Sequence, residues 1–190
     1  GNDYLIKIFP DKLLNLINDN SISWVENMHP PLEVRNDGSR AAIGVNTVQT
    51  SPYNLDGSGV ALAEWDTGWA EHIDYNLRRT IGDAGCTEPD CLVRSHATHV
   101  AGTMLGDGSN SINKGGSATQ WRGMAPNANL ISYEWPDSLN ELDSETNSAV
   151  VSYGAVLSQN SWGWLTPSPG NCDLYGNYDL WSKEYDKIVN

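Results

Sequence analysis

The chain has 190 residues, which is enough to bury the core of one main domain. Its 24 acidic and 11 basic residues give a formal charge of −13, which repels phosphate backbones and anionic lipid heads and so excludes nucleic acid and membranes as partners. No apolar run approaches the roughly 20 residues of a membrane-spanning helix. The acidity serves either solubility, the simpler reading, or the binding of divalent cations, so calcium is kept only as a structural ion.

The first predicted elements form a small β-α-β unit. Residues 4–9 alternate as in a strand, residues 11–18 carry leucines at helical spacing, and residues 22–25 are again strand-like. The sequence HPPLEVRNDGSRA follows, and its prolines, glycine and charges favour an exposed connection. We therefore place a domain boundary near residue 38, giving segments 1–38 and 39–190.

The second segment begins with a buried strand over residues 59–65, which ends abruptly at Asp66-Thr67-Gly68. Gly68 lets the chain turn away sharply and leaves the carboxylate facing a crevice. Ser95 is predicted to cap a helix that opens with His96 and runs towards Leu105.

Further strands and helices alternate along the rest of the chain. Strands are predicted over residues 129–135 and 155–160, and the second of them leads into Ser161-Trp162-Gly163. The helix between them has its apolar residues at Leu139, Leu142, Ala149, Val150 and Tyr153. A last helix has Tyr178, Trp181, Tyr185, Ile188 and Val189 on one face.

This alternation predicts an α/β fold, a parallel sheet with helices on both faces. Functional groups gather at the carboxyl ends of the strands in such sheets, and Asp66 and Ser161 both lie at such ends. The strand expected after the last helix is missing from the sequence.

Three segments carry the chemistry: ALAEWDTGW around Asp66, RSHATHVAGT around His96, and LSQNSWG around Ser161. Together with RGMAPNA at residues 122–128, they resemble the subtilisin-like serine proteases. The resemblance covers residues 45–190, the first half of a family catalytic domain. It implies a subtilisin-like sheet and an Asp-His-Ser triad to which this chain contributes catalytic Asp66 and His96.

The chemistry explains these residue types. A serine hydroxyl is a poor nucleophile, so an imidazole such as that of His96 must take its proton and later pass it to the leaving amine. A buried carboxylate such as that of Asp66 fixes the imidazole and stabilises its cation. A metal hydrolase using His96, His99 and Asp66 is the weaker alternative, and we expect His99 to be a buried histidine satisfied by backbone. Ala97 stands where the family usually has glycine, and we expect only a slight adjustment.

The resemblance gives Ser161-Trp162-Gly163 a substrate-binding role, in which its backbone pairs with an extended peptide and Trp162 narrows a pocket. The alternative is a glycine turn with Trp162 in the core. No serine has the family's nucleophile pattern Gly-Thr-Ser-Met-Ala, and Ser117 is the nearest look-alike.

The serine and the oxyanion-hole asparagine lie further on in the family. We therefore expect a companion chain that carries the nucleophilic serine, made by cleavage after Asn190 and still docked. Residues 1–38 resemble the end of the family's propeptide, which implies a secreted protein, a zymogen form and autoproteolysis. Cys86 and Cys91 form either a local disulfide or a pair of free thiols, and Cys172 pairs with something outside this chain.

The predicted function is a serine endopeptidase that acts on polypeptide substrates and needs no cofactor for its chemistry. The alternative is a catalytically inactive relative that serves binding or assembly.

Overall fold

The computed structural model describes residues 6–23, 25, 36–83, 92–163 and 176–189. Contacts divide the chain into two compact units, Gly1–Val34 and Arg35–Asn190. The predicted boundary near residue 38 lies close to this division, and the assignment of the first segment to a propeptide stays a prediction. All three cysteines lie outside the described residues, and so does the disulfide prediction.

The first unit contains a short helical segment. A 3-10 turn at Pro10–Lys12 leads into helix α1, Leu13–Ile17, in agreement with the leucine spacing. The flanking strands were predicted wrongly, because the described residues 6–9, 22, 23 and 25 adopt no strand. A strand needs partners and an apolar surface to pack on. The large side chains of α1 are instead exposed, at Leu13, Leu14 and Ile17.

The second unit opens with two short helices, α2 at Asn36–Ala42 and α3 at Val45–Val48. Helix α2 occupies part of the stretch that was predicted to be an exposed connection. Its Arg40 is buried and donates a hydrogen bond to the side chain of Gln49. The Gln49 amide donates in turn to the carbonyl oxygen of Met124 at 2.8 Å, so this region is fastened to the main body of the second unit.

The centre of the second unit is a parallel sheet. Its strands are β1 (Ala61–Asp66), β2 (Arg79–Ile81), β3 (Asn129–Glu134) and β4 (Ala155–Asn160). They lie in the order β2-β3-β1-β4, and all three pairings are parallel. Helix α4 (Ser95–Leu105) precedes β3, helix α5 (Leu139–Val151) precedes β4, and helix α6 (Leu180–Val189) follows it. The predicted α/β class with a parallel sheet is confirmed.

One face of the sheet, called here the α4 face, carries Leu62, Glu64 and Asp66 of β1. Leu62 and its neighbour Leu130 are buried there against α4, together with Ala97, Ala101 and Leu105. The methyl group of Ala97, where the family usually has glycine, is fully buried in this core, and the helix forms around it without interruption.

The opposite face, called here the α5 face, carries Trp65 of β1 and Tyr133 of β3. Their rings are stacked with centroids 4.8 Å apart, and Ala149 of α5 belongs to the same buried cluster. Successive strand residues point to opposite faces, so β1 contributes side chains to both buried clusters and is buried on both sides.

Helix α4 begins at Ser95, one residue before the predicted start. Arg94 occupies the N-cap position and Ser95 is already helical, so the prediction that Ser95 caps the helix is wrong. In α5 a serine does have this role: the Ser138 hydroxyl accepts from the backbone N–H of Glu141 at 3.2 Å.

The RGMAPNA segment closes the other end of α4. Backbone N–H groups of Gly123, Met124 and Ala125 donate to the carbonyl oxygens of Gly106, Thr103 and Met104. The last carbonyls of a helix have no partner inside the helix, and this segment supplies one for two of them. The end of α4 is thereby fixed beside the start of β3.

Candidate active site

Asp66 is the last residue of β1, and its carboxyl group is fully buried on the α4 face. The backbone N–H and the hydroxyl of Thr67 both donate to its Oδ1, at 2.7 and 2.9 Å. These two bonds hold the carboxyl group in one orientation at the end of the strand.

His96 lies in the first turn of α4, directly over this carboxylate. Its Nδ1 is 2.7 Å from Oδ1 and 2.9 Å from Oδ2 of Asp66. The histidine side chain is 52% exposed, while the aspartate side chain is fully buried. Because Nδ1 donates its proton to the carboxylate, Nε2 is left as the nitrogen that can accept a proton.

A short backbone bridge holds these two elements in register. Trp69, just beyond β1, pairs in parallel with Val93, just before α4. The Trp69 N–H donates to the carbonyl of Leu92 at 2.8 Å, and the Arg94 N–H donates to the carbonyl of Trp69 at 2.9 Å. Gly68 precedes this bridge with φ of 149°, a conformation that side-chain-bearing residues rarely adopt. The turn thus brings the start of α4 to the end of β1.

Chemically, the pair is an oriented imidazole with a carboxylate on one nitrogen and solvent access to the ring. Such an arrangement can take a proton from a hydroxyl group and hold the resulting imidazolium. It supplies general acid-base catalysis but not a nucleophile. Among the described residues, no serine hydroxyl is hydrogen-bonded to the His96 ring.

Sequence reasoning missed Glu64, which lies two residues before Asp66 and is also 0% exposed. Burial raises the pKa of Glu64 to about 9, and the neighbouring charge of Asp66 adds to this, while the backbone of Ala101 acts in the opposite direction. The period of two along a strand was the signal that could have found it, since Glu64 and Asp66 must share a face.

The predicted substrate-binding segment follows β4, at the same end of the sheet as Asp66. Trp65 of β1 pairs with Asn160 of β4, so Asp66 and Ser161 are the next residues on two adjacent strands. Ser161 and Gly163 are exposed, and the Ser161 hydroxyl accepts from the Gln159 side chain at 2.7 Å.

Trp162 is half-buried within a row of three indole rings. Its ring centroid lies 6.5 Å from that of Trp135 and 6.2 Å from that of Trp181, both in edge-to-face geometry. Edge-to-face packing is a preferred arrangement of aromatic rings. The ring is therefore anchored between the end of β3 and α6, while the residues on either side of it, Ser161 and Gly163, are exposed.

His99 lies one turn after His96 and is exposed, so the expectation of a buried histidine is wrong. It lines a cavity of about 590 Å³ together with His72 and Asp74. His96 and Asp66 do not line this cavity. In the described ranges, no group of three or more His, Cys, Asp or Glu side chains is arranged to hold a metal.

None of the helices in the described part of the chain is long and apolar enough to span a bilayer.

Comparison with known proteins agrees with the motifs. The model of the subtilase family matches residues 25–187. Among solved structures, the chain is similar to MycP1 from the ESX-1 type VII secretion system, with 17% sequence identity and a TM-score of 0.44 over 63% of this chain and 34% of that one. The chain thus spans about a third of the length of that solved chain. The search of curated proteins finds no match. Since the family model matches well over half of its residues, this chain belongs to the subtilase family.

Proposed function

We propose that the protein is a serine endopeptidase in which this chain supplies the aspartate and the histidine of the triad. The observation that carries the proposal is the buried Asp66 carboxylate bonded to Nδ1 of a half-exposed His96. The triad arrangement itself is a known template, and here the family membership and the geometry of the pair support it.

In the proposed reaction, Nε2 of His96 takes the proton of a serine hydroxyl as its oxygen attacks the carbonyl carbon of a peptide bond. Asp66 stabilises the imidazolium that forms. His96 then gives the proton to the leaving amine, and water releases the acyl group by the same sequence of steps. No cofactor takes part in these steps.

The serine would come from a polypeptide that completes the sheet, the companion chain. Leu62 of β1 is 5% exposed on the α4 face, but its register partner Leu157 on β4 is 62% exposed on that face. Helix α4 thus covers β1 and leaves β4 open, on the face where Asp66 and His96 lie. A segment that covers Leu157 would stand beside α4, within reach of the histidine.

Polypeptide substrates would bind along the segment after β4. Ser161 and Gly163 are exposed, and an extended peptide gains main-chain hydrogen bonds from such a segment whatever its side chains are. The half-buried ring of Trp162 would hold this segment in place.

The first unit would act as the end of a propeptide, which implies a zymogen, autoproteolysis and a secreted or extracellular protein. The chain divides into two compact units after Val34, and this division supports a first segment that can be removed. Calcium is proposed only as a structural ion.

The test is labelling of the complete protein with a serine-directed fluorophosphonate. We expect one serine to react, on a polypeptide outside residues 1–190, and peptide hydrolysis to fall on the order of 10⁴-fold in Asp66→Asn. His96→Ala should lose both labelling and hydrolysis, whereas the matched variant His99→Ala, one turn along the same helix, should keep both. Absence of label in the processed wild-type protein would favour the non-catalytic alternative.

A further inference from the structure

Glu64 is a buried acid beside the active-site pair that the triad mechanism does not use. It shares the α4 face of β1 with Asp66, and strand geometry places the two residues roughly 6.6 Å apart along the strand. Both side chains are fully buried. Neither carboxyl oxygen of Glu64 accepts a hydrogen bond of normal geometry from the described residues.

In the described part of the chain, the residues that face Glu64 carry no positive charge. From α4, the buried residues Ala97 and Ala101 face it, and its register partners are Ser132 on β3 and Gln159 on β4. All four are uncharged. An isolated carboxylate in such a site is strongly disfavoured, because burial removes its hydration without supplying a partner.

Two titratable groups of the described residues lie close to Glu64. The charge of Asp66, on the same strand, disfavours ionisation of Glu64, and the Asp66 carboxyl group accepts hydrogen bonds from Thr67 and His96. Tyr75 is buried, donates its hydroxyl to the carbonyl of Thr98 at 3.1 Å, and has its own pKa raised by burial and by Glu64. Arg79 is directed elsewhere, since its Nη1 donates to the carbonyl of Ala70 at 2.7 Å.

We propose that Glu64 is a positioning residue of the active-site pair: as an uncharged acid it adds no second negative charge to the β1 face that carries Asp66 beneath His96, and loss of its proton to solvent disturbs that pair. Ionisation would place two unscreened negative charges on one strand face. The strand and α4 would then have to separate or admit water, and His96 would move with α4. The catalytic consequence, an upper pH limit to activity, rests on the proposed function.

The test follows the ring signals of His96 by NMR in complete protein with ¹⁵N-labelled histidine, between pH 7 and 11. We expect a step in the alkaline range, centred near the Glu64 pKa of about 9, that is separate from protonation of the ring. Glu64→Gln should remove this step, because glutamine has the size of the protonated acid and cannot ionise. The signals are assigned by their loss in His96→Gln.

The matched control is Glu145→Gln. Glu145 is a partly buried acid whose pKa is raised to about 8, mainly by burial, but it contacts Trp65 on the α5 face. This variant should keep the alkaline step of His96. A step that survives in Glu64→Gln, or that disappears in Glu145→Gln, would overturn the proposal.

If Glu64→Gln fails to fold, the wild-type protein alone can still contradict the proposal. A flat His96 signal across the alkaline range, in protein that circular dichroism shows to be folded, contradicts the proposal. The NMR readout needs no peptidase activity. Failure of fluorophosphonate labelling with a clear Glu64 step would therefore reject the proposed function and leave the coupling between Glu64 and His96 in place.

Discussion

At the scale of single residues, Glu145 is held in a setting that favours its protonated form. The Trp65 indole N–H donates to its Oε2 at 2.8 Å from inside the α5 face. Burial is the main reason that its pKa rises to about 8; the Trp65 bond opposes the rise, while the charges of Glu141, Asp83 and Glu134 add to it. Folding therefore raises the proton affinity of this group.

The sign of the pH dependence follows. An unfolded glutamate has a pKa of about 4.3, so stability from the bound proton is fully present below that pH and is lost as pH rises towards 8. We expect Glu145→Gln to reduce the slope of the free energy of unfolding against pH over this window by up to about 1.4 kcal/mol per unit. Denaturant melts of the complete protein at several pH values measure this.

The control for that experiment is Asp143→Asn, which removes a charge from the exposed side of the same helix. It should leave most of the slope intact, although the ion pair of Asp143 with Lys187 is lost. Equal effects of the two variants would mean that net charge, and not burial of Glu145, sets the pH dependence.

Sequence reasoning at this scale identified Asp66 and His96 because each stands in an extended motif with its own neighbours. It did not identify Glu64, because the surrounding apolar residues predicted only a buried strand. What decides the state of Glu64 is its burial in three dimensions, which depends on α4 and on both adjacent strands. The prediction that Ser95 caps α4 was wrong for a similar reason. The start of the helix depends on a contact distant in sequence, the bridge between Trp69 and Val93.

At the scale of elements, the contact between α4 and the RGMAPNA segment explains the glycine of that motif. A Cβ at Gly123 would lie 2.7 Å from the backbone nitrogen of Leu105 and 2.8 Å from the carbonyl oxygen of Gly102. Real Cβ atoms do not approach backbone this closely, and neither partner is a side chain that can rotate away. The segment can dock on the helix only with glycine here.

Gly123→Ala should therefore destabilise the protein by about 1–3 kcal/mol, because the segment must move off the end of α4. Gly102→Ala is the matched control, since nothing lies within 4 Å of the Cβ it would add. Alanine favours the helix, so this variant should be neutral or more stable by about 0.5–1 kcal/mol. Thermal melts give both values, and a stable Gly123→Ala protein would contradict the proposed packing.

Strands with a clear alternation of apolar residues were predicted well where the fold provides a neighbouring strand. The bounds predicted for the strand at Ala155–Asn160 match those observed, and the strand at Asn129–Glu134 differs by one residue. Residues 6–9 have an equally suitable pattern but no neighbouring strand in the described part of the chain. Periodicity reports what an element can bury, and only the fold provides something to bury it against.

At the scale of the whole molecule, the two edges of the sheet differ. Near β2, the side chain of Leu77 is 101% exposed on a 3-10 turn at Asn76–Arg78. At β4, more of the exposed apolar side chains are close in sequence: Val150 and Val151 end α5, and Val156 and Leu157 follow on the strand. Large exposed apolar surface marks an interface, whereas a single exposed leucine does not.

This difference predicts how the proposed companion chain would dock. Leu157→Lys places a charge on the open part of the α4 face, so docking of the serine-bearing segment should weaken and fluorophosphonate labelling should fall at least about tenfold, equivalent to about 1.4 kcal/mol. Leu77→Lys adds the same charge at an exposed leucine near the other edge and should label like wild type. Size-exclusion chromatography should show the companion chain released only by Leu157→Lys. Full labelling and co-elution in that variant would mean that the serine reaches His96 without covering β4.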